Sequence, residues 1–300
     1  MKKITPTKQN WGGKWTEEKL DTFEKYVDAY LTIMNAQKRK YKGWPTTIYF
    51  DGFAGSGNRV DKNKINEIPT LDMDISEEEK KLYQGSAERV LRLEKKFDYY
   101  YFVDNDNEAI ENLKQKLSDS NLIFDKCKFI HDDVNNQLVK LSEFLNSKKA
   151  ALVLLDPFGM QINWASIEKL KNKRVDLWIL LPSGVIINRL LDNNGELRFS
   201  DKLENFFGLS IKEIKNIFYK EAKVLNIFGD VENKIEKKYD SIQKIAEVYI
   251  KQLKSIWKYV TEKPLILYNT KNVPIYHFIF ASNNEKARKI ANQIIEKKNQ

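Results

Sequence analysis

Between residues 46 and 181, short and almost wholly apolar runs alternate with stretches whose apolar residues recur at helical spacing. No other feature constrains the chain as much, because strand–helix–strand units build a parallel sheet with helices packed on its faces. Strands are expected at 46–50, 99–103, 128–131, 151–155 and 175–181, with helices over 85–93, 108–117, 137–145 and 164–171. Strands this apolar belong in a sheet covered on both sides. Ahead of the first strand, Leu20, Phe23, Val27, Tyr30, Leu31 and Met34 mark the buried stripe of a helix. Thr16 is read as its N-cap, followed by Glu17 and Glu18. The helix is expected to stop at Gly43-Trp44-Pro45.

These elements divide the chain into an N-terminal helical extension over 1–45 and a Rossmann-like α/β core over 46–185. Residues 58–84, polar and irregular, read as an insertion in that core. Residues 186–260 read as a helical lobe, and 261–300 as a closing antiparallel hairpin, with strands at 265–268 and 275–281, plus a terminal helix. The expected sheet is mostly parallel, with that hairpin at its end.

Composition excludes several classes. No apolar run approaches the roughly 20 residues that a membrane-spanning helix needs, and the first residues lack the apolar core of a signal peptide. Cys127 is the single cysteine and His131 and His277 the only histidines, so disulfide frameworks and zinc sites are not expected. Both Cys127 and His131 are read as structural, as are Trp11, Trp15 and Trp44. The chain is read as cytoplasmic, without metal and without membrane. Its net charge of +9 is uneven: residues 46–200 carry −3, residues 1–45 carry +5 and residues 201–300 carry +7. Basic flanks gripping a nucleic acid fit this distribution, and so do ordinary solvated helices in a lysine-rich chain.

In a doubly wound sheet, ligands bind beyond the carboxyl ends of the strands, and the residues that could carry chemistry fall there. The first strand runs into Asp51-Gly52-Phe53-Ala54-Gly55-Ser56-Gly57, a turn whose glycines let backbone come close to a ligand or take positive φ. The spacing of Gly52, Gly55 and Gly57 is not that of a dinucleotide fingerprint. Asp104, ending the second strand, can accept hydrogen bonds from a ribose diol, with Asp106 as the cap of the next helix. Asp133, after the third strand, either accepts from an adenine amino group or is a turn aspartate, a part Asp132 fills better. After the fourth strand, Asp156, Pro157 and Phe158 combine a carboxylate, a rigid carbonyl and an aromatic ring. The first two can accept two hydrogen bonds from an amino group, and the ring can stack on a flat base. Arg189 is read as a surface residue. No Ser-His-Asp set, P-loop or zinc spacing appears.

The loop at Asp51 to Gly57 resembles the cofactor motif of amino-directed methyltransferases that use S-adenosylmethionine (SAM), and Asp156-Pro157-Phe158 resembles their catalytic motif. More narrowly, the chain is similar to the three-Cys-motif partner family (TcmP). That likeness rests on Trp15-Thr16 with Lys19, the Asp51 loop, Gly85-Ser86, Tyr101-Phe102-Val103-Asp104, Leu155-Asp156-Pro157-Phe158-Gly159 and the closing run from Tyr276 to Ser282. The resemblance implies a SAM-methyltransferase sheet, SAM as cofactor and a bacterial or phage setting. It also implies a partner carrying a three-cysteine, radical-SAM-like motif. Carried onto this chain, the cofactor residues are Asp51, Gly52, Phe53, Gly55, Gly57, Asp104 and Asp133, and the catalytic ones Asp156, Pro157 and Phe158. Two functions follow: methyl transfer to an amino group, above all on a nucleic-acid base, or a catalytically silent SAM-binding subunit serving the three-cysteine protein. The motif's second proline is replaced by Phe158, with Gly159 where the aromatic would stand.

Overall fold

The computed structural model describes residues 13–55, 85–122, 125–225 and 231–298. The insertion expected over 58–84, Gly57 and Trp11 lie outside these residues. Five parallel strands form the heart of the molecule: β1 (Thr46–Asp51), β2 (Tyr99–Asp104), β3 (Cys127–His131), β4 (Lys149–Leu155) and β5 (Val175–Leu181). Late in the chain come β8 (Tyr259–Val260), β9 (Leu265–Tyr268) and β10 (Pro274–Ser282). The sheet runs β3-β2-β1-β4-β5-β10-β8, with β9 also on β10, and β10 lies antiparallel to β5, β8 and β9. This is the α/β, Rossmann-like, mostly parallel sheet with a closing antiparallel hairpin that the alternation predicts.

Side chains alternate across the sheet and make two cores. One face carries Tyr49, Tyr100, Phe102, Leu152, Leu154, Trp178, Leu180, Phe278 and Phe280. Against it pack α1 (Gly13–Lys40), α2 (Gly85–Arg92), α3 (Asn107–Asp119) and α10 (Glu285–Glu296). The other face, with Ile48, Phe50, Val103, Val153, Leu155, Leu177, Ile179 and Ile279, is covered by α4 (Val134–Phe144), α5 (Trp164–Glu168) and the lobe that follows β5. Because Phe23, Tyr26, Val27, Tyr30 and Leu31 are all buried in the first core, α1 is a full layer of the domain. It starts before Thr16, so that residue lies inside the first turns rather than capping them; its buried hydroxyl has no hydrogen-bond partner among the described residues.

The lobe holds a short helix α6 (Asn188–Leu190), then α7 (Ser200–Phe207), α8 (Ile211–Phe218) and α9 (Ser241–Leu253). It is not helical throughout. An antiparallel ribbon of β6 (Tyr219–Leu225) and β7 (Val231–Lys237) stands between α8 and α9. Lysine and glutamate fill half the positions of the two strands, so no clean apolar alternation announces them. None of the described helices is long and apolar enough to cross a membrane.

Candidate functional site

The chemistry-bearing residues gather at the carboxyl ends of β2, β1 and β4, neighbours in the sheet. Asp51 closes β1 and is 1% exposed. Its carboxylate accepts from the Tyr49 hydroxyl at 3.0 Å, the Ser86 hydroxyl at 3.0 Å and the Phe53 N–H at 3.3 Å. Burial, with a smaller contribution from the nearby Asp156, pushes its pKa up to about 6 despite those donors. Ser86, at the start of α2, supplies one of the three, which gives the Gly85-Ser86 pair a function beyond opening the helix.

Asp104, ending β2 and also buried, accepts from the Asp106 N–H at 2.9 Å and the Gly55 N–H at 3.2 Å. Desolvation raises its pKa as well. Asp106 caps α3 through the N–H groups of Glu108 and Ala109, as expected from the sequence. The glycines of the loop meet a tighter constraint than ligand approach alone. A Cβ on Gly52 would come within 2.7 Å of both Leu155 and Val134, and one on Gly55 within 2.9 Å of the Ala109 backbone. The loop is therefore pressed onto β4, α4 and α3 by its lack of side chains. Neither glycine is among the residues of positive φ.

Beyond β3 the two aspartates divide their work. Asp133 is the N-cap of α4, its Oδ1 accepting from the Asn135 N–H at 2.7 Å. Asp132 accepts from Lys140, Asn136 and Gln137, and the Lys140 ammonium leads in holding its carboxyl well below the usual range. Asn135 then reaches across to the loop after β4, donating to the Gln161 carbonyl and accepting from the Asn163 N–H.

That loop holds Asp156, Pro157 and Phe158. Asp156 and Pro157 are buried, while Phe158 is half-buried. The Gln161 side chain accepts from the N–H groups of Phe158 and Gly159, which fixes the turn without using the Asp156 carboxylate. The carboxylate is engaged from elsewhere. Lys19, on α1, places its ammonium 2.5 Å from Asp156 Oδ2. Oδ1 of the same carboxylate is buried with no hydrogen-bond partner among the described residues. Trp15, one turn earlier, stacks on Tyr276 with centroids 5.1 Å apart and lies under the Lys19 ammonium.

At the end of β5, Ser183 Oγ lies 2.6 Å from His277 Nδ1 of β10, and burial lowers the His277 pKa to about 4, leaving a neutral ring. Gly184 beside it cannot carry a side chain: a Cβ would fall 2.0 Å from the Pro274 carbonyl oxygen. Among the described residues no group of three or more His, Cys, Asp or Glu could hold a metal ion. The residues that sequence reasoning left out of the site are Tyr49, Ser183, His277 and, outside the family resemblance, Lys19 and Ser86.

Fold and site together define a Rossmann-like α/β protein whose strand ends bring three buried carboxylates, Asp51, Asp104 and Asp156, to one end of the sheet. No protein-family model matches the chain, and no curated protein matches its sequence. Among solved structures, an rRNA methylase from Streptococcus thermophilus is 14% identical, with a TM-score of 0.28 over 65% of this chain and 89% of its own. A Legionella pneumophila protein is 16% identical, with a TM-score of 0.39 over 91% of this chain and 98% of its own. The plantazolicin methyltransferase BamL, solved with a substrate analogue and SAH, is 11% identical, with a TM-score of 0.33 over 90% of this chain and 89% of its own. At such identities and scores these likenesses carry no assignment of function, which has to come from the site.

Proposed function

We propose that the chain binds S-adenosylmethionine at the ends of β1 and β2 and is a methyltransferase-like protein directed at an amino group, with a nucleic-acid base as the acceptor class. The observation that carries this reading is the set of buried carboxylates, of which Asp51 and Asp104 have no cationic side chain paired with them among the described residues, while Asp156 is paired with Lys19. Asp51, Asp104 and Asp156 are all buried at the ends of adjacent strands. Such a site favours a ligand that brings hydroxyl donors and positive charge, as a ribose, an amino group and a sulfonium do. It opposes the pyrophosphate of a dinucleotide. In this assignment Asp104 accepts from the ribose diol, the Asp51 loop lines the amino-acid part and Asp133 takes the adenine amino group. Gly57 belongs to the same loop by sequence.

Bound SAM supplies an electrophilic methyl group; the rest of the work falls to the chain. Asp156 and the carbonyl held by Pro157 accept hydrogen bonds from the acceptor amine and turn its lone pair toward the methyl. Phe158 provides the face on which a flat base rests. Positioning and electrostatics are then the main sources of rate.

Lys19 favours a second reading. An ammonium of the chain itself already holds Asp156 Oδ2, as an acceptor amine would. On that reading the protein is a SAM-binding subunit, silent by itself, that serves a three-cysteine, radical-SAM-like partner, as the TcmP resemblance implies. Calorimetry tests what both readings share. SAM and its demethylated product are expected to bind and NAD is not; binding of NAD in preference to SAM would overturn both.

A further inference from the structure

We infer that the end of the sheet opposite the carboxylates is an anchoring site for single-stranded nucleic acid, built around the Trp44–Arg174 stack. This rests on the basic cleft alone and not on the cofactor assignment.

A cleft of about 1190 Å³ opens where β4 and β5 begin, lined by Gln37, Lys40, Tyr41, Trp44, Asn172–Arg174 and Ser282–Asn284, with the inner wall formed by α1. It is somewhat larger than the range of about 300–1,000 Å³ usual for a small-molecule pocket, which suits a segment of polymer. The Arg174 guanidinium lies 4.3 Å over the Trp44 ring and the Lys40 ammonium 5.2 Å over Tyr41, whose ring meets Trp44 edge-on at 5.7 Å. Tyr41 is 51% exposed.

The surroundings extend the positive charge. The loop of Trp44 is tied to the loop before β4 by the Trp44 indole donating to the Ser147 carbonyl and the Thr46 N–H to the Lys148 carbonyl. Lys173 reaches the Leu145 carbonyl of that same loop. Lys40, Lys173 and Arg174 line the cleft, with Arg174 also donating to the Gln37 side chain at 2.6 Å, while Arg39, Lys42, Lys148 and Lys171 lie on the same chain segments, the end of α1 and the loops before β4 and β5; none of the seven makes an ion pair among the described residues. The one acid lining the cleft, Asp176, is held by Tyr26 and Ser282 at 2.7 and 2.5 Å. Asp98, at the margin, is held by Lys38.

Cations that lack acidic partners among the described residues, an exposed tyrosine ring and amide side chains at one concave cleft match a phosphate chain carrying flat, hydrogen-bonding bases. A membrane surface would leave the concavity and the amides unused. The charge comes from α1 and from two loops of the core that are far apart in sequence, so a count over the flanks of the chain does not reveal it. Seven residues of β4 separate this edge from Asp156, about 23 Å at the usual strand rise. The cleft therefore anchors a strand and does not present a base for reaction.

The test is fluorescence anisotropy of the full chain with a labelled oligothymidylate at about 50 mM and about 200 mM salt, where phosphate contacts are strong and weak respectively. Lys40→Glu, Lys148→Glu and Lys171→Glu combined are expected to weaken binding about tenfold or more and to flatten its salt dependence. The same reversal at Lys212, Lys223 and Lys251, on the lobe, should change it about twofold at most, the scale of screened distant charge. Tyr41→Ala should weaken the oligonucleotide while leaving inorganic polyphosphate unaffected, because only a base can stack. Unfolding curves of the variants establish that each still folds. Absence of binding by the parent overturns the inference, as do equal losses from the two triple reversals. Equal effects of Tyr41→Ala on oligonucleotide and polyphosphate overturn the nucleic-acid assignment.

Discussion

The Lys19 ammonium sits 2.5 Å from Asp156 Oδ2, with the two side chains only 3% and 9% exposed. The pair ties the first helix of the chain to the end of the fourth strand, 137 residues away. Removing two charges from water is costly, and their mutual attraction offsets that only when geometry is good and the remaining polar atoms are satisfied. Here Asp156 Oδ1 has no hydrogen-bond partner among the described residues. By that measure the pair does not meet the condition under which burying two charges stabilises a fold.

Breaking the pair from one side should still be damaging, because it strands a buried charge. Lys19→Ala is expected to lower the unfolding free energy by about 3–5 kcal/mol, the range for removing one partner of a buried pair. Combining it with Asp156→Ala should restore much of that loss. A double-mutant cycle in urea checks this; additive losses would mean that the two residues do not interact.

Asp51 makes a pH prediction of definite sign. Its folded pKa of about 6 lies above the ordinary 3.8, so the folded state binds the proton more tightly than the unfolded one. Its contribution to stability is therefore greatest at low pH and is lost as pH rises from about 4 through about 6. Relative to Asp51→Asn, the parent should lose about 2–3 kcal/mol across that window, because each tenfold difference in proton affinity between the two states is worth about 1.4 kcal/mol. Denaturant titrations at several pH values read this out. If a cationic cofactor binds beside Asp51, its affinity should increase over the same interval. A parent and variant whose stabilities run parallel would show that Asp51 does not titrate there.

Asp104 holds the N–H groups of Gly55 and Asp106 as well as facing the proposed ribose. Asp104→Ala should weaken SAM binding by about 1–3 kcal/mol, the cost of leaving hydrogen-bonding groups unsatisfied. Calorimetry with SAM measures it, and unchanged affinity would remove Asp104 from the site.

Much of this architecture was legible because its signals are local. Apolar strands such as Val175–Leu181 and the stripe from Leu20 to Met34 announce themselves by period, and Asp106 caps its helix from within the same few residues. Asp51, Asp104 and Asp156 could be placed at one end of the sheet because each directly ends or follows a strand. What could not be read depends on contacts distant in sequence. Ser86 completes Asp51 from 35 residues away, and His277 meets Ser183 across 94. Lys19 had no chemical signal of its own, since a lysine at the start of a helix is ordinarily solvated. The β6–β7 ribbon was invisible for a different reason. Its strands pair Lys220 with Glu236 and Ala222 with Lys234, so charged side chains fill positions where alternation would mark a strand. Gly52 and Gly55 have a further role that no local signal carries: their missing side chains leave room for Leu155, Val134 and Ala109.

The remaining question, enzyme or silent subunit, turns on what displaces Lys19 from Asp156. If Asp156 orients an acceptor amine, Asp156→Ala should leave SAM affinity nearly intact while methyl transfer to nucleic acid falls by about 10²-fold or more, the scale for losing one positioned polar group. On the proposed assignment, in which the ring carries the base, Phe158→Ala should act mainly on acceptor affinity. If Lys19 instead keeps the position filled, neither parent nor variant will transfer labelled methyl to DNA, RNA or lysate. The activity of the three-cysteine partner should then depend on this chain being present, and calorimetry should still detect SAM. Both assays have to be run on the same preparations, since lack of transfer alone would also result from a missing substrate. Transfer that survives Asp156→Ala unchanged would remove the carboxylate from the mechanism and leave the fold standing. A SAM-binding chain with neither transfer nor an effect on the partner would defeat both readings of the acceptor side.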